Sequence, residues 1–296
     1  MNQQYLGIFF AVSGSLLSSI AWVYEGEAVR HLGPWVTACS LNLLGAAFLL
    51  AYLAISGQLP RLADLKNQRR DLLSVSLVRQ VVLTSLFTTA LTGTEGIKVM
   101  FFTKLEPYFV LLLGWFIYKR AASLRQLLLL ALHLAGAVVL STNGEFHFGT
   151  SQASDLLVLL AVFLSAATYP HAARLAAKLG AIQTNACAML LAGIVLLPMA
   201  LAVPAAPNEG SALLGWKYIL VTVLAFHVFG LSAWYAALPR LRDWLVSALR
   251  AVGPILGAPV AWFLFGQTFS LLQAGGALVV LVTSAIMAAE SRRTAQ

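Results

Sequence analysis

Apolar residues fall in long unbroken blocks along this chain, separated by short polar stretches. Residues 1–24, 32–60, 126–144, 156–173, 179–208 and 218–239 hold no Asp, Glu, Lys or Arg, and neither does the run 251–289. A helix needs about 20 mostly apolar residues to cross the hydrocarbon of a bilayer. Each of the six shorter runs therefore predicts one span. The run 251–289 is long enough for two, divided at Gly266-Gln267-Thr268. Two more spans follow if an internal charge is accepted, 72–92 around Arg79 and 97–118 around Lys104 and Glu106. The pattern predicts an all-α integral membrane protein with ten transmembrane helices and no connection long enough for an extramembrane domain. The first run has no basic leader and no small-residue cleavage pattern, so it reads as a retained helix 1 rather than a signal peptide.

Composition sharpens this. Of 296 residues, 60% are hydrophobic and 10% charged, against roughly half and a quarter in soluble domains. This excludes an ordinary soluble enzyme, a disordered chain and a nucleic-acid binder. The net charge is 19 − 11 = +8, and its distribution gives an orientation. With the N-terminus inside, the inner connections carry 13 Lys and Arg, the outer ones carry Arg30, Lys98 and Lys217, and Arg79, Lys104 and Arg250 complete the 19. Basic residues concentrate on the cytoplasmic side, so both termini are expected in the cytoplasm of a bacterial inner (plasma) membrane, multi-pass. All seven tryptophans lie within about five residues of a predicted helix end, and most are expected in an interfacial belt. Cys39 and Cys187 sit in apolar runs and read as small core residues, with no disulfide or metal framework.

The chain is also similar to itself. A shift of 147 residues, without a gap, lays Leu32-Gly33 on Leu179-Gly180, Thr37 on Thr184 and Ser18 on Ser165. Pro107 then meets Pro254, Trp115-Phe116 meets Trp262-Phe263, and Ser123-Leu124 with Gln126 meets Ser270-Leu271 with Gln273. Leucine matches mean little in so apolar a chain, but four rarer residue types holding register do. Residues 1–147 and 148–296 thus form two five-helix repeats. Five is odd, so the repeats enter the membrane from opposite sides, the inverted topology of many secondary transporters. Each Ser-Leu-x-Gln predicts a reciprocal helix cap. Pro107 and Pro254 remove a backbone donor inside a span and are expected to kink or gate helices 4 and 9.

These features resemble the drug/metabolite transporter superfamily, and specifically its EamA-type carriers. In each half a fourth-helix proline precedes a Trp-Phe end, a tight turn and a Ser-Leu-x-Gln start to the fifth helix. Lys104-Leu105-Glu106-Pro107-Tyr108-Phe109 through Leu140, and Gly253-Pro254 through Met287, carry the likeness. The resemblance implies a midplane cavity lined by helices 1, 3, 4, 6, 8 and 9, with helices 5 and 10 peripheral, and export as the direction. The family often has a glutamate in the turns after helices 4 and 9. Arg120 and Gln267 stand there instead, so that glutamate has no counterpart.

Ionisable groups are costly in hydrocarbon, so those inside spans are candidate site residues. Arg79, Lys104 and Arg250 are either cavity cations or snorkelling side chains. Glu106 reads as the single acid well inside a span. Without a partner its burial would favour the protonated form, which makes it the proton-coupling candidate, and Arg79 is a candidate partner that would make it structural. Ser76-Gln80-Thr84-Thr88 form a polar stripe on helix 3, and Gln80 and Trp22 have His227 and Tyr169 as repeat mates. The candidate substrate-binding set is Trp22, Arg79, Gln80, Thr84, Lys104, Glu106, Tyr108, Tyr169, His227, Trp234 and Arg250. His227 could equally be a packing group, and His133 is expected to be structural. Ser15, Ser19 and Ala11 form a small-residue stripe suited to close packing.

No metalloprotease, nucleophile-elbow, phosphate-loop or Asp-rich motif is present. No catalytic residue, metal or cofactor is therefore expected. The sequence predicts a secondary active transporter, an exporter of small metabolites by alternating access. Three cations against one acid point to amino acids or related carboxylate-bearing compounds. A multidrug or cationic-compound exporter on the same fold is the alternative, and a membrane enzyme or lipid-handling protein is the alternative of another class. The expected partners are a small-molecule substrate and membrane lipids, with no nucleic acid, and the monomer is the expected functional unit.

Overall fold

The computed structural model describes residues 3–94, 99, 102–116, 119, 123–142, 152–203, 212–253 and 270–293. Among them the regular elements are all helices: α1 (Gln3–Leu32), α2 (Pro34–Ile55), α3 (Leu62–Asn67), α4 (Arg69–Ala90), α5 (Glu106–Phe116), α6 (Leu124–Thr142), α7 (Gln152–Leu179), α8 (Ala181–Ala202), α9 (Ala212–Ala237), α10 (Asp243–Leu249) and α11 (Leu271–Arg293). Five segments are long and apolar enough to cross a membrane: α2, α4, Ala153–Leu179 of α7, α8 and α9. Helix α1 makes a sixth if its two arms, Gln3–Ser19 and Tyr24–Leu32, bent by 43°, count as one broken span. The hairpin expected around Gly266, together with Pro254 and Trp262, lies outside the described residues.

Local chemistry sets the breaks, and the same breaks recur 147 residues apart. Gly33 (φ 78, ψ 163) and Gly180 (φ 95, ψ 156) separate α1 from α2 and α7 from α8. That backbone region is essentially closed to residues with a Cβ. Each glycine is followed by a helix of 22 residues. Ser123 and Gln126 exchange backbone-to-side-chain bonds of 3.0 and 3.2 Å at the start of α6. Ser270 and Gln273 do the same at 3.0 and 3.1 Å at the start of α11. Both Ser-Leu-x-Gln sequences are therefore capping boxes. A π-helical stretch widens α4 at Ser74–Val82 and α9 at Val223–Gly230. A 3₁₀ turn precedes α5 at Thr103–Leu105 and follows α10 at Arg250–Val252. Proline explains the 3₁₀ turns. Pro107 and Pro254 cannot donate to the carbonyls of Thr103 and Arg250 four residues back. Those carbonyls instead accept from the amides of Glu106 and Gly253, three residues on.

The helices pack in related pairs. Helix α2 lies on α8 and α6 on α11, while α1 on α9 mirrors α4 on α7. Glycines permit the close approaches. A Cβ at Gly193 would strike Leu43, and one at Gly136 would lie 2.9 Å from the Gly276 carbonyl. His133 Nδ1 meets Thr283 Oγ1 at 2.8 Å between α6 and α11, so this histidine fastens two helices together. The outer surface is apolar, with Phe9, Leu128, Leu160, Leu201 and Leu278 exposed. Trp115 and Trp216 share that surface. Trp22, Trp234 and Trp244 do not, which corrects the belt expectation for them: all three are buried. For Trp22 the reason is that α1 runs on past the predicted end to Leu32, so the indole lies within the helix, at the bend between its two arms.

Candidate functional site

A cavity of about 50 Å³ is lined by residues of both halves. Trp22 and Glu25 enter it from α1, Arg79, Gln80 and Thr84 from α4, and Glu106 from the head of α5. Ser165 of α7, His227 of α9 and Arg250 beyond α10 complete its polar wall. These are the six segments implied by the resemblance. The π-helical stretch of α4 allows the adjacent Arg79 and Gln80 both to face inward, and both are buried.

Glu106 is the hub. Arg250 Nη1 donates to its Oε2 at 2.9 Å, and the Tyr169 hydroxyl donates to the same oxygen at 2.8 Å. The Ser165 hydroxyl donates to Oε1. Three donors converge on one carboxylate, the arrangement a buried charge requires. Arg250, not Arg79, is thus its ion-pair partner, which corrects the expected pairing. Arg79 is linked to it by hydrogen bonds through Ser165. Its Nη1 donates to Ser165 Oγ and Thr168 Oγ1, both at 3.0 Å. Its guanidinium lies over the Trp234 ring at 3.8 Å and 5.7 Å from the centre of Tyr169. Arg79 is 5% exposed and points inward, so it does not snorkel. Among the described residues no carboxylate pairs with it.

Lys104 and Glu106, two residues apart, do not pair. Lys104 Nζ donates 3.1 Å to the Arg250 carbonyl, and the Ser15 hydroxyl donates to that same oxygen. A Cβ on Gly253 would meet Ser15 Oγ at 2.7 Å. The small stripe on α1 therefore serves close packing against the 3₁₀ turn. Among the described residues, both ring nitrogens of His227 lack a hydrogen-bond partner.

Sequence reasoning missed Glu25, Ser165 and Thr168. Glu25 is 4% exposed within α1, so among the described residues Glu106 is not the one acid buried in a helix. The expected Tyr108 does not line the cavity. It packs at the edge of the apolar cluster that includes Tyr169 and Trp234, and among the described residues its hydroxyl has no partner. A second, larger space of about 570 Å³ lies between α5, α7 and the start of α10. Tyr169 lines it, while the hydroxyl of the same residue reaches Glu106. One tyrosine thus stands between the two spaces. Elsewhere, α4 is tied to α7 by Asp71, which accepts from Arg174 Nη2 at 2.8 Å and lies 2.7 Å from His171 Nδ1.

The sequence matches the EamA-like transporter family twice, over residues 5–142 and 152–289. It is 25% identical over 228 residues to an uncharacterized transporter of Methanothermobacter thermautotrophicus, across 73% of this chain and 63% of that protein. The chain thus spans less than two thirds of that relative's length. A solved crystal structure of a protein superposes with a TM-score of 0.77 at 14% identity, over 98% of this chain and 99% of its own. That likeness shows the fold alone. Two consecutive family matches span most of the sequence, and the chain belongs to the EamA-like transporter family.

Proposed function

We propose that the protein is a secondary carrier that exports a small carboxylate-bearing metabolite, with amino acids and related zwitterions first, by alternating access. One observation carries the substrate class. Arg79 is buried at the cavity wall, held by two neutral hydroxyls and an indole, while the nearby Glu106 is taken up by Arg250. A guanidinium without a carboxylate of its own favours an anion, and it can hold a carboxylate through two parallel bonds. The set Trp22, Gln80, Thr84, Tyr169, His227 and Trp234 would shape the rest of the site. Lys104 adds positive potential from behind the Arg250 carbonyl. Glu106 is a structural hub in this reading and not the proton site, because its oxygens are already occupied.

In the same proposal the ten helices are spans of two inverted repeats in a bacterial inner membrane, with both termini cytoplasmic and one chain as the working unit. The recurrence of the glycine breaks, the caps, the π stretches and the 3₁₀ turns at matching places supports a pseudo-symmetric pair. The space between α5, α7 and α10 would be the path to one face, closed at its inner end by Tyr169. A carrier role accounts for a cavity lined by both halves better than an interfacial enzyme does.

Transport by right-side-out proteoliposomes, scanned over amino acids and organic acids, tests this. Uptake or efflux of at least one carboxylate is expected, and Arg79→Gln should reduce it at least tenfold. Transport of quaternary ammonium compounds with none of any carboxylate would overturn the substrate class and favour the cationic-compound exporter.

A further inference from the structure

The cavity has a second charged pole that the Arg79 reading does not use. Glu25 is buried in the helical arm Tyr24–Leu32 of α1 and faces the cavity. Among the described residues no side chain donates to it. That contrasts with Glu106, which receives three donors. A carboxylate that is buried in this way with no side-chain donor carries a charge the protein does not balance, and it favours a cation or a proton. Its surroundings suit a cation. Trp22 lies three residues earlier on the same helix face, lines the same cavity, and meets Phe87 edge-on at 4.8 Å between ring centres. Aromatic faces beside a carboxylate are the usual receptor for an ammonium group. His227 lines the same space with both ring nitrogens unpaired.

We infer that Glu25, walled by Trp22 and Phe87, is the ammonium-binding pole of the cavity, and that a proton takes the ammonium's place when the cavity holds no substrate. This rests on the proposed carboxylate carrier and deepens it: the substrate carries an ammonium group for Glu25 as well as a carboxylate for Arg79. The other charged or titratable groups facing the cavity are Arg79 on α4, Glu106 at the head of α5, His227 on α9 and Arg250 beyond α10. Among the described residues, α2 contributes none and α7 only the neutral Ser165. Glu25 is therefore the acid left for exchange between proton and ammonium.

The test uses dicyclohexylcarbodiimide, which attaches to protonated carboxyl groups in apolar surroundings, on the full-length protein in detergent, with the labelled residue located by peptide mass mapping. Glu25 should be labelled at least tenfold more than Glu106, and less as pH rises. Methylammonium should suppress the label severalfold, and acetate should not. Glu25→Asp should retain labelling at position 25, and Glu25→Gln should abolish it while the protein still purifies as a monodisperse species. Label on Glu106 in place of Glu25, no label on either, or label on Glu25 indifferent to methylammonium would each overturn the inference. If methylammonium protects Glu25 but no carboxylate is transported, the ammonium pole stands and the carboxylate reading fails. If carboxylates are transported and Glu25 ignores methylammonium, the reverse holds.

Discussion

Removing both members of the Glu106–Arg250 pair should cost much less than the two single removals summed. Glu106 is 2% exposed at its side chain and Arg250 15%, with 2.9 Å between them. In Arg250→Met the carboxylate keeps the Ser165 and Tyr169 hydroxyls but loses its counter-charge. In Glu106→Gln the guanidinium is stranded instead. Breaking a buried pair from one side typically costs about 3–5 kcal/mol, because the survivor is left uncompensated. Two independent losses would sum to about 6–10 kcal/mol. The double variant Glu106→Gln/Arg250→Met removes both members of the pair, and the glutamine carbonyl can still accept from Tyr169. It should therefore be no less stable than the worse single variant. The assay is thermal unfolding in detergent, followed by tryptophan fluorescence at one heating rate. Both single variants should lose midpoint temperature, and the double should recover part of the loss. A double variant that falls by the sum of the two singles would refute the claim that the groups act as one unit.

Other expectations follow from separate features. Ser165→Ala cuts the link between Arg79 and Glu106 and leaves buried donors and acceptors unmatched, at about 1–3 kcal/mol; thermal unfolding should show a smaller loss than Arg250→Met. Gly33→Ala and Gly180→Ala force a Cβ into a glycine-only region and should each cost about 1–3 kcal/mol, again read as a lower unfolding midpoint, while equal stability to the parent would count against the backbone assignment. Asp71→Asn should weaken the tie between α4 and α7 by only about 1 kcal/mol or less, because Arg174 is half exposed there, and the parent's stability should depend on salt more than the variant's. Cysteines placed at Ser123 and at Ser270, in a chain lacking Cys39 and Cys187, should react with impermeant reagents from opposite faces of the membrane, and labelling from one face alone would end the inverted-repeat proposal.

The order of helices and the caps were legible because they depend on neighbours in sequence. An apolar run, a glycine before Pro34 and a serine three residues ahead of a glutamine carry their own instructions. The repeat register was legible for the same reason, and it located Gln80 with His227 and Trp22 with Tyr169. The partners of the charges were not. A helix fixes the face a side chain occupies, but which neighbour meets that face is a tertiary fact, so the sequence offered Arg79 for Glu106 and not Arg250. Ser165 had a signal, its match to Ser18 across the repeats, but a serine in an apolar helix has many bland explanations. Glu25 was hidden by a boundary: ending helix 1 at the first charge put it in a loop. The absence of any breaker before Gly33 was the signal that the helix continued. Tyr108 erred the other way, since closeness in sequence to Glu106 does not place a ring in the same space.

The oxygen that Lys104 and Ser15 both reach belongs to the peptide group of Arg250, not to a side chain. Point mutagenesis at position 250 therefore deletes the guanidinium but leaves that mooring in place. Two jobs at one residue, holding Glu106 and anchoring α1 and Lys104, are experimentally separable: the first is probed by changing the residue, the second only by changing those that grip it.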